Sequence, residues 1–274
     1  MRAKLSNGAV IGLASLWLFV AGVPFYFMVV TAFKGRFELM SGSVFSFPRT
    51  PSWSNFQAVL GSSSFIRYLS NSVIVVTAAV FLILLFSALA AYVFARISFQ
   101  WQQSLFSIVV AGLVIPLHVT LVPVYLLTRR IGLYDSLWGL LGPYVAFSLP
   151  LSIFILTEFM RQIPRELEEA ARMDGASIPG IFWRIILPLS GPGLVTLAIY
   201  NAVILWNEFV FAFVLITSPE NRPLPLAIWE YQGQYAMNIP AIFAVLTLSS
   251  LPLIVIYIVG QEKVIAGIMA GALK

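Results

Sequence analysis

Six stretches of this chain carry no Asp, Glu, Lys or Arg: residues 5–33, 68–95, 97–128, 136–157, 185–207 and 231–261. Each contains an apolar run near the ~20 residues that a helix needs to cross a bilayer. The runs are continuously apolar and do not alternate, so they predict helices rather than barrel strands. The pattern predicts an all-α integral membrane protein with six transmembrane helices, near residues 8–32, 72–95, 105–128, 137–157, 190–212 and 240–260. The first run follows Arg2 and Lys4 and so invites a signal-peptide reading. Its apolar stretch is far longer than the about 7–15 residues of a signal core, and no clear small-residue cleavage site follows, which favours a retained helix.

Composition agrees with the pattern. The 274 residues include 16 Lys or Arg and 11 Asp or Glu, and 60% are apolar. A soluble domain has about a quarter charged and about 45–50% apolar residues. An ordinary soluble enzyme, a disordered chain and a nucleic-acid module are therefore excluded, and a net charge of +5 is too small and scattered for a phosphate-binding surface. The absence of cysteine removes disulfides, thiolate zinc sites and cysteine nucleophiles. Six spans place both termini on one side. With the termini inside, the inner segments hold nine basic residues and the outer ones seven, a weak vote under the positive-inside rule.

The connecting segments differ in character. Residues 34–71, with Pro48, Pro51 and Trp53, and residues 218–239, with Pro219, Pro223, Pro225 and Trp229, read as folded outer loops. Residues 158–184 hold Glu158, Arg161, Arg165, Glu166, Glu168, Glu169, Arg172, Asp174 and Arg184, a third of the chain's charges. Pro164 suits a first helical position, and the glutamates follow near the positive end of the helix dipole. Arg165–Glu169 and Glu168–Arg172 are i,i+4 pairs. Leu167, Ala170 and Ala171 can share one side, and Gly175 is the expected C-terminal cap. Ser177 then caps a second helical turn with Pro179 in its opening. From the residues alone, this helix, glycine elbow and helix is either a solvated connection or a docking element. The smooth alanine surface between charges favours docking.

These residues also resemble a known family. Glu169-Ala170-Ala171, then Gly175, then Ile185 and Leu187-Pro188 match the EAA signature of ABC-importer permeases at each spaced position. The run 163–194, Asn71-Ser72, residues 90–96, residues 206–209 and the Ala270-Gly271-Ala272 tail look like the maltose and glycerol-phosphate type of carbohydrate importer, specifically its second permease subunit. The resemblance covers roughly residues 66–274. It implies the type I ABC importer permease fold, divided into an N-terminal helix and first outer loop (1–66), a transmembrane core (67–265) with the EAA loop at 158–188, and a cytoplasmic tail (266–274).

The resemblance further implies that the loop between the fourth and fifth spans is cytoplasmic and docks in a cleft of an ATP-binding subunit. Arg165, Glu169, Ala170, Ala171, Arg172, Asp174, Gly175, Leu187 and Pro188 would then couple ATP turnover to the membrane helices, and the termini would be cytoplasmic. The implied partners are a second homologous permease, two ATP-binding subunits, an extracytoplasmic sugar-binding protein, the lipid bilayer and a carbohydrate substrate, with no nucleic acid. The expected localisation is a bacterial or archaeal cell membrane. The chain is expected to be a transport subunit and not an enzyme, with no cofactor or metal of its own and with ATP and magnesium held by the partner. Its residues agree independently: a P-loop needs Gly-Lys-Ser/Thr, and none of Lys4, Lys34, Lys263 or Lys274 has that context.

Polar residues within the apolar runs are the remaining candidates, since such groups are costly in a membrane. Glu208, beside Asn207, is placed about 25 Å along a continuous fifth helix from Gly191. It reads as a pore group that meets sugar hydroxyls, as an outer-gate group, or as a helix-end carboxylate. Asn201 lies two turns earlier on nearly the same face and is a candidate pore residue. His118, the only histidine, has no local partner for a triad or metal site and reads first as a hydrogen-bonded packing residue, with pore lining as the alternative. Pro116 and Pro123 are expected to kink the third span, and Pro188, Gly191, Pro192 and Gly193 to break the start of the fifth. A related importer for glycerol phosphate or an amino acid is the nearest alternative. An ion-driven secondary transporter would call for repeats and buried charge pairs, which the sequence lacks. An intramembrane enzyme lacks a catalytic constellation.

Overall fold

The computed structural model describes residues 7–38, 45–231 and 238–272. Arg2, Lys4 and Lys274, counted above for orientation, lie outside them, as does part of the second long loop. Among the described residues all regular structure is helical: α1 Asn7–Ala32, α2 Ser54–Leu60, α3 Ser63–Arg96, α4 Gln102–Ala111, α5 Leu121–Arg130, α6 Leu141–Arg161, α7 Glu166–Met173, α8 Ile178–Leu189, α9 Gly191–Trp206, α10 Val210–Leu215 and α11 Ile239–Ala272. Short 3-10 turns extend α4, precede α5 and α6, and occupy Pro219–Asn221 and Leu224–Tyr231.

Four apolar helices have the length to cross a membrane: Gly8–Ala32, Ser63–Arg96, Leu137–Arg161 and Ile239–Gln261. Two further pairs reach that length only across sharp bends, so the predicted third and fifth spans are not straight helices. Gln102–Val114 meets Leu117–Arg130 at 92°. Pro116 is the cause: it lacks an N–H, and Ile115 before it is extended, with φ −72° and ψ 114°. Pro123 makes no kink, because it lies in the first turn of α5, where its missing donor has no intrahelical partner to lose. Ile178–Leu189 meets Gly191–Trp206 at 70°, at the Pro188–Gly193 break. A π-turn over Phe182–Ile186 lies inside α8.

Other boundaries also move. α3 begins at Ser63, well before the expected residue 72, because the Ser62 hydroxyl accepts the Phe65 N–H and starts the helix early. The fifth span ends at Trp206 rather than near 212, and α11 continues through Ala272, so most of the expected C-terminal tail is helix. Pro164 precedes α7, and the Arg165 carbonyl accepts the N–H groups of Glu168 and Glu169.

The chain forms two compact units. One joins the residues up to Ile66 with Ala227–Leu251, and the other joins Arg67–Leu226 with the residues from Pro252 on. In the first, Phe33 packs at 4.8 Å on both Trp53 and Phe56, and Asn55 donates to the carbonyls of Ala32 and Lys34 to finish α1. The second has an apolar cluster in which Tyr92 and Ala95 of α3, Leu156 and Met160 of α6, and Phe182 and Ile186 of α8 are buried together. There α11 comes so close to α9 that a Cβ on Gly260 would lie 2.2 Å from Ile199 Cδ1.

Candidate functional site

The charged segment folds as its caps dictate. α7 ends in a Schellman motif: the Gly175 N–H bonds the Arg172 carbonyl, and the Ala176 N–H bonds the Ala171 carbonyl at 2.9 Å. Gly175 has φ +81°, so any side chain there is strained although the surrounding space is open. Ser177 accepts the Gly180 N–H and starts α8, with Pro179 in the first turn. The helix–elbow–helix of the sequence reading is thus present in detail.

The signature residues divide between two faces. Arg165, Glu169, Ala170, Arg172, Asp174, Gly175 and Pro188 are exposed, while Ala171 and Leu187 pack against the apolar cluster. Ala170 and Ala171 therefore do not form one patch. Leu167 at 44%, Met173 at 89% and Ile178 at 54% are also exposed. The pair Arg165–Glu169 is not formed, whereas Arg172 Nη2 lies 3.7 Å from Glu168 Oε2.

Glu168 and Arg96 were missed by the sequence reading. Glu168 is buried beneath α7, and Arg96 at the end of α3 meets it, with Nε 3.0 Å from Oε1 and side-chain exposures of 2% and 6% for the arginine and the glutamate. Arg96 Nη2 also donates to the carbonyls of Met160 and Ile163 at the end of α6. A signal was available: Arg96 is the one charge between the apolar runs 68–95 and 97–128, and a lone cation there needs a partner.

Two polar candidates of the spans, Asn201 and Glu208, meet elsewhere in the same unit. A cavity of about 220 Å³ is lined by Leu113, Tyr144, Phe147, Tyr200, Asn201, Glu208 and neighbours. Glu208 is not inside a helix. Asn207 ends α9, its side chain bonding the Val203 carbonyl, and Glu208 lies in the break that follows. Its Oε1 accepts the Phe211 N–H at 2.8 Å, and Oε2 accepts the Tyr144 hydroxyl at 2.9 Å and the Ala212 N–H at 3.3 Å. It caps α10, where a carboxylate complements the helix N-terminus. Asn201 is buried and donates to Ser152 Oγ at 3.1 Å, joining α9 to α6. Asn207 and His118 do not line the cavity. His118 is exposed in the turn Leu117–Thr120 rather than packed, because that turn gives Leu117 to the cavity.

Beyond α10, Asp135 organises the loop at 216–222. Its Oδ1 accepts the N–H of Thr217 at 2.8 Å and of Ser218 at 2.9 Å, its Oδ2 accepts the Ser218 hydroxyl, and its carbonyl accepts from Asn221 at 2.6 Å. Its φ of +55° is one that Asp tolerates. Partial burial raises the cost of its charge, but the bonds from Ser218, Thr217 and Asn221 outweigh that and hold its pKa below the ordinary carboxylate value. On the other flank, Asn71 donates to the carbonyls of Glu220 and Arg222, and Ser72 accepts the Leu224 N–H.

Comparison with known proteins follows this geometry. A family profile described as binding-protein-dependent transport system inner membrane component matches residues 58–268. The chain is 54% identical over 260 residues to ABC transporter permease protein ORF2 of Caldicellulosiruptor sp. (strain Rt8B.4), covering 95% of this chain and 94% of that one. It is 33% identical over 261 residues to the sulfoquinovosyl glycerol transport system permease protein SmoH of Agrobacterium fabrum (strain C58), covering 95% and 92%. A crystal structure of a bacterial ABC transporter that imports the acidic polysaccharide alginate contains a chain of the same fold, with TM-score 0.82, 22% identity and coverage of 96% and 99%.

Proposed function

The chain belongs to the family of binding-protein-dependent transport system inner membrane components, and from that membership we propose that it is a permease subunit of an ATP-driven carbohydrate importer. It is a multi-pass membrane protein that forms half of a translocation pore, with a second homologous permease as the other half. The match over residues 58–268 carries this reading. The sulfoquinovosyl glycerol permease, alike over nearly its whole length, supports a carbohydrate as the solute.

In this reading α7 and α8 dock on a separate ATP-binding subunit that holds ATP and magnesium, both termini are cytoplasmic, and two such subunits serve the permease pair. An extracytoplasmic binding protein delivers sugar to the outer loops. The exposed Leu167, Met173 and Ile178, set among Glu169, Arg165 and Arg172, are what a protein cleft would cover. The aromatic rings of the cavity suit a sugar's apolar face, while Glu208 serves chiefly as a cap and latch.

The test is uptake in proteoliposomes that hold the complete transporter and its binding protein. Vanadate is expected to abolish uptake and an ionophore to leave it intact. Uptake that survives vanadate and collapses with the ion gradient makes the chain a secondary transporter and ends this reading.

A further inference from the structure

We propose that Arg96 is a positioning residue that locks α7 to the ends of α3 and α6, so that a push on the docking face moves the membrane helices instead of tilting α7 alone. This rests on the docking role proposed for α7 and α8. The geometry at Arg96 itself is independent of that role.

α7 has only eight residues, and little of its surface is buried. Ala171 packs against the apolar cluster, and Glu168 is its one buried residue. Its connections on either side are an irregular stretch through Pro164 and the Gly175 elbow. An apolar contact as small as that of Ala171 can slide. The ion pair cannot. Arg96 holds the Glu168 carboxylate by charge, with Nε 3.0 Å from Oε1, and donates Nη2 to the Met160 and Ile163 carbonyls, so one guanidinium ties three elements together.

The surroundings make the lock obligatory. Tyr92, one turn before Arg96, packs on Phe182 at 5.2 Å, within the same cluster. Separating two buried charges strands both of them in apolar surroundings, so the pair moves together or not at all. Arg172 approaches Glu168 only from the solvent side, at 3.7 Å and more than half exposed, and cannot replace Arg96. Among the described residues nothing comparable ties the exposed Glu169 to the membrane helices.

The experiment uses the complete reconstituted transporter and needs no knowledge of the sugar. The chain has no cysteine, so Tyr200→Cys places a single thiol in this chain at the cavity. Its labelling by a membrane-impermeant maleimide is compared without nucleotide and with ATP and vanadate, alongside ATP hydrolysis and co-purification of the ATP-binding subunit. With Arg96 and Glu168 intact, nucleotide is expected to change the labelling rate. Glu168→Gln is expected to shrink that change at least about fivefold, the low end of a typical coupling energy, while hydrolysis and co-purification persist. A purely structural role would lower the yield of complex without separating hydrolysis from labelling.

If Glu168→Gln fails to accumulate, the paired change Arg96→Met with Glu168→Leu removes both charges and is expected to fold, yet to be just as uncoupled. Full nucleotide-dependent labelling in either variant overturns the proposal. Ala170→Trp on the exposed face separates the two levels. If it leaves the ATP-binding subunit bound, the docking reading fails. If it releases that subunit while Glu168→Gln stays coupled, the lock alone fails.

Discussion

The α7 end and the cavity end of the larger unit both use carboxylates to hold irregular segments, but they use them differently. At the α7 end Glu168 meets a cation, Arg96, beside an apolar cluster. At the cavity end Glu208 and Asp135 meet no cation within salt-bridge distance among the described residues. They accept backbone N–H groups and hydroxyls and together fix α10, Glu208 at its start and the Asp135 N–H on the Leu215 carbonyl at its finish. The first arrangement is all-or-none, because either charge alone is stranded. The second is divisible, since each hydrogen bond contributes separately and water can replace some of them. A segment that transmits force gains from the first kind. A loop that must keep its shape while accommodating a partner gains from the second.

The largest effect is expected where the difference is sharpest. Arg96→Ala strands the Glu168 carboxylate and leaves the Met160 and Ile163 carbonyls without their donor. Loss of about 3–5 kcal/mol is expected, read as a large drop in the thermal unfolding midpoint of the detergent-solubilised complex. A drop no greater than that of a surface substitution would mean that water already shares the pair, and the contrast between the two ends would disappear.

A smaller effect is expected at the cavity. Glu208→Ala removes the cap of α10 and the partner of the Tyr144 hydroxyl, at a site that is only partly buried. Loss of about 1–2 kcal/mol is expected by the same measurement, with Tyr144→Phe costing less, because it leaves the cap in place. If Tyr144→Phe costs as much as Glu208→Ala, the hydroxyl bond and not the cap dominates, and the cavity end is less divisible than the geometry shows.

Much of this was legible in the sequence because membrane physics writes it plainly. Charge-free runs of about 20 residues located the apolar helices. Pro116 announced one bend, the Pro188–Gly193 cluster the other, and Gly175 and Ser177 fixed the elbow. The division of labour among the glutamates was not legible. Glu168 and Glu169 are adjacent and chemically alike, and only the three-dimensional approach of Arg96, 72 positions earlier, sends one inward and leaves the other exposed. The end of α9 was hidden for a similar reason: Trp206-Asn207-Glu208-Phe209 has no proline or glycine, and the break there depends on side chains of Asn207 and Glu208 bonding backbone groups.

The smallest effect tests the loop beyond α10. Asp135 has a pKa held below its ordinary value by the hydrogen bonds from Ser218, Thr217 and Asn221, which outweigh its burial. A lowered carboxylate pKa stabilises the folded loop fully above the ordinary value, near pH 4, and that stabilisation is lost as the pH falls through the lowered native value. Amide exchange at Thr217 and Ser218, corrected for its intrinsic pH dependence, is therefore expected to stay slow at neutral pH and to quicken only below about pH 4. Asp135→Asn keeps an acceptor and tolerates the positive φ but cannot ionise. It is expected to weaken protection by about 1 kcal/mol at neutral pH and to flatten the acid response. If the wild-type loop shows no acid response, its shape is held from the other flank, by Asn71 on the Glu220 and Arg222 carbonyls and Ser72 on the Leu224 N–H. The start of α3, rather than Asp135, would then set the form of this loop.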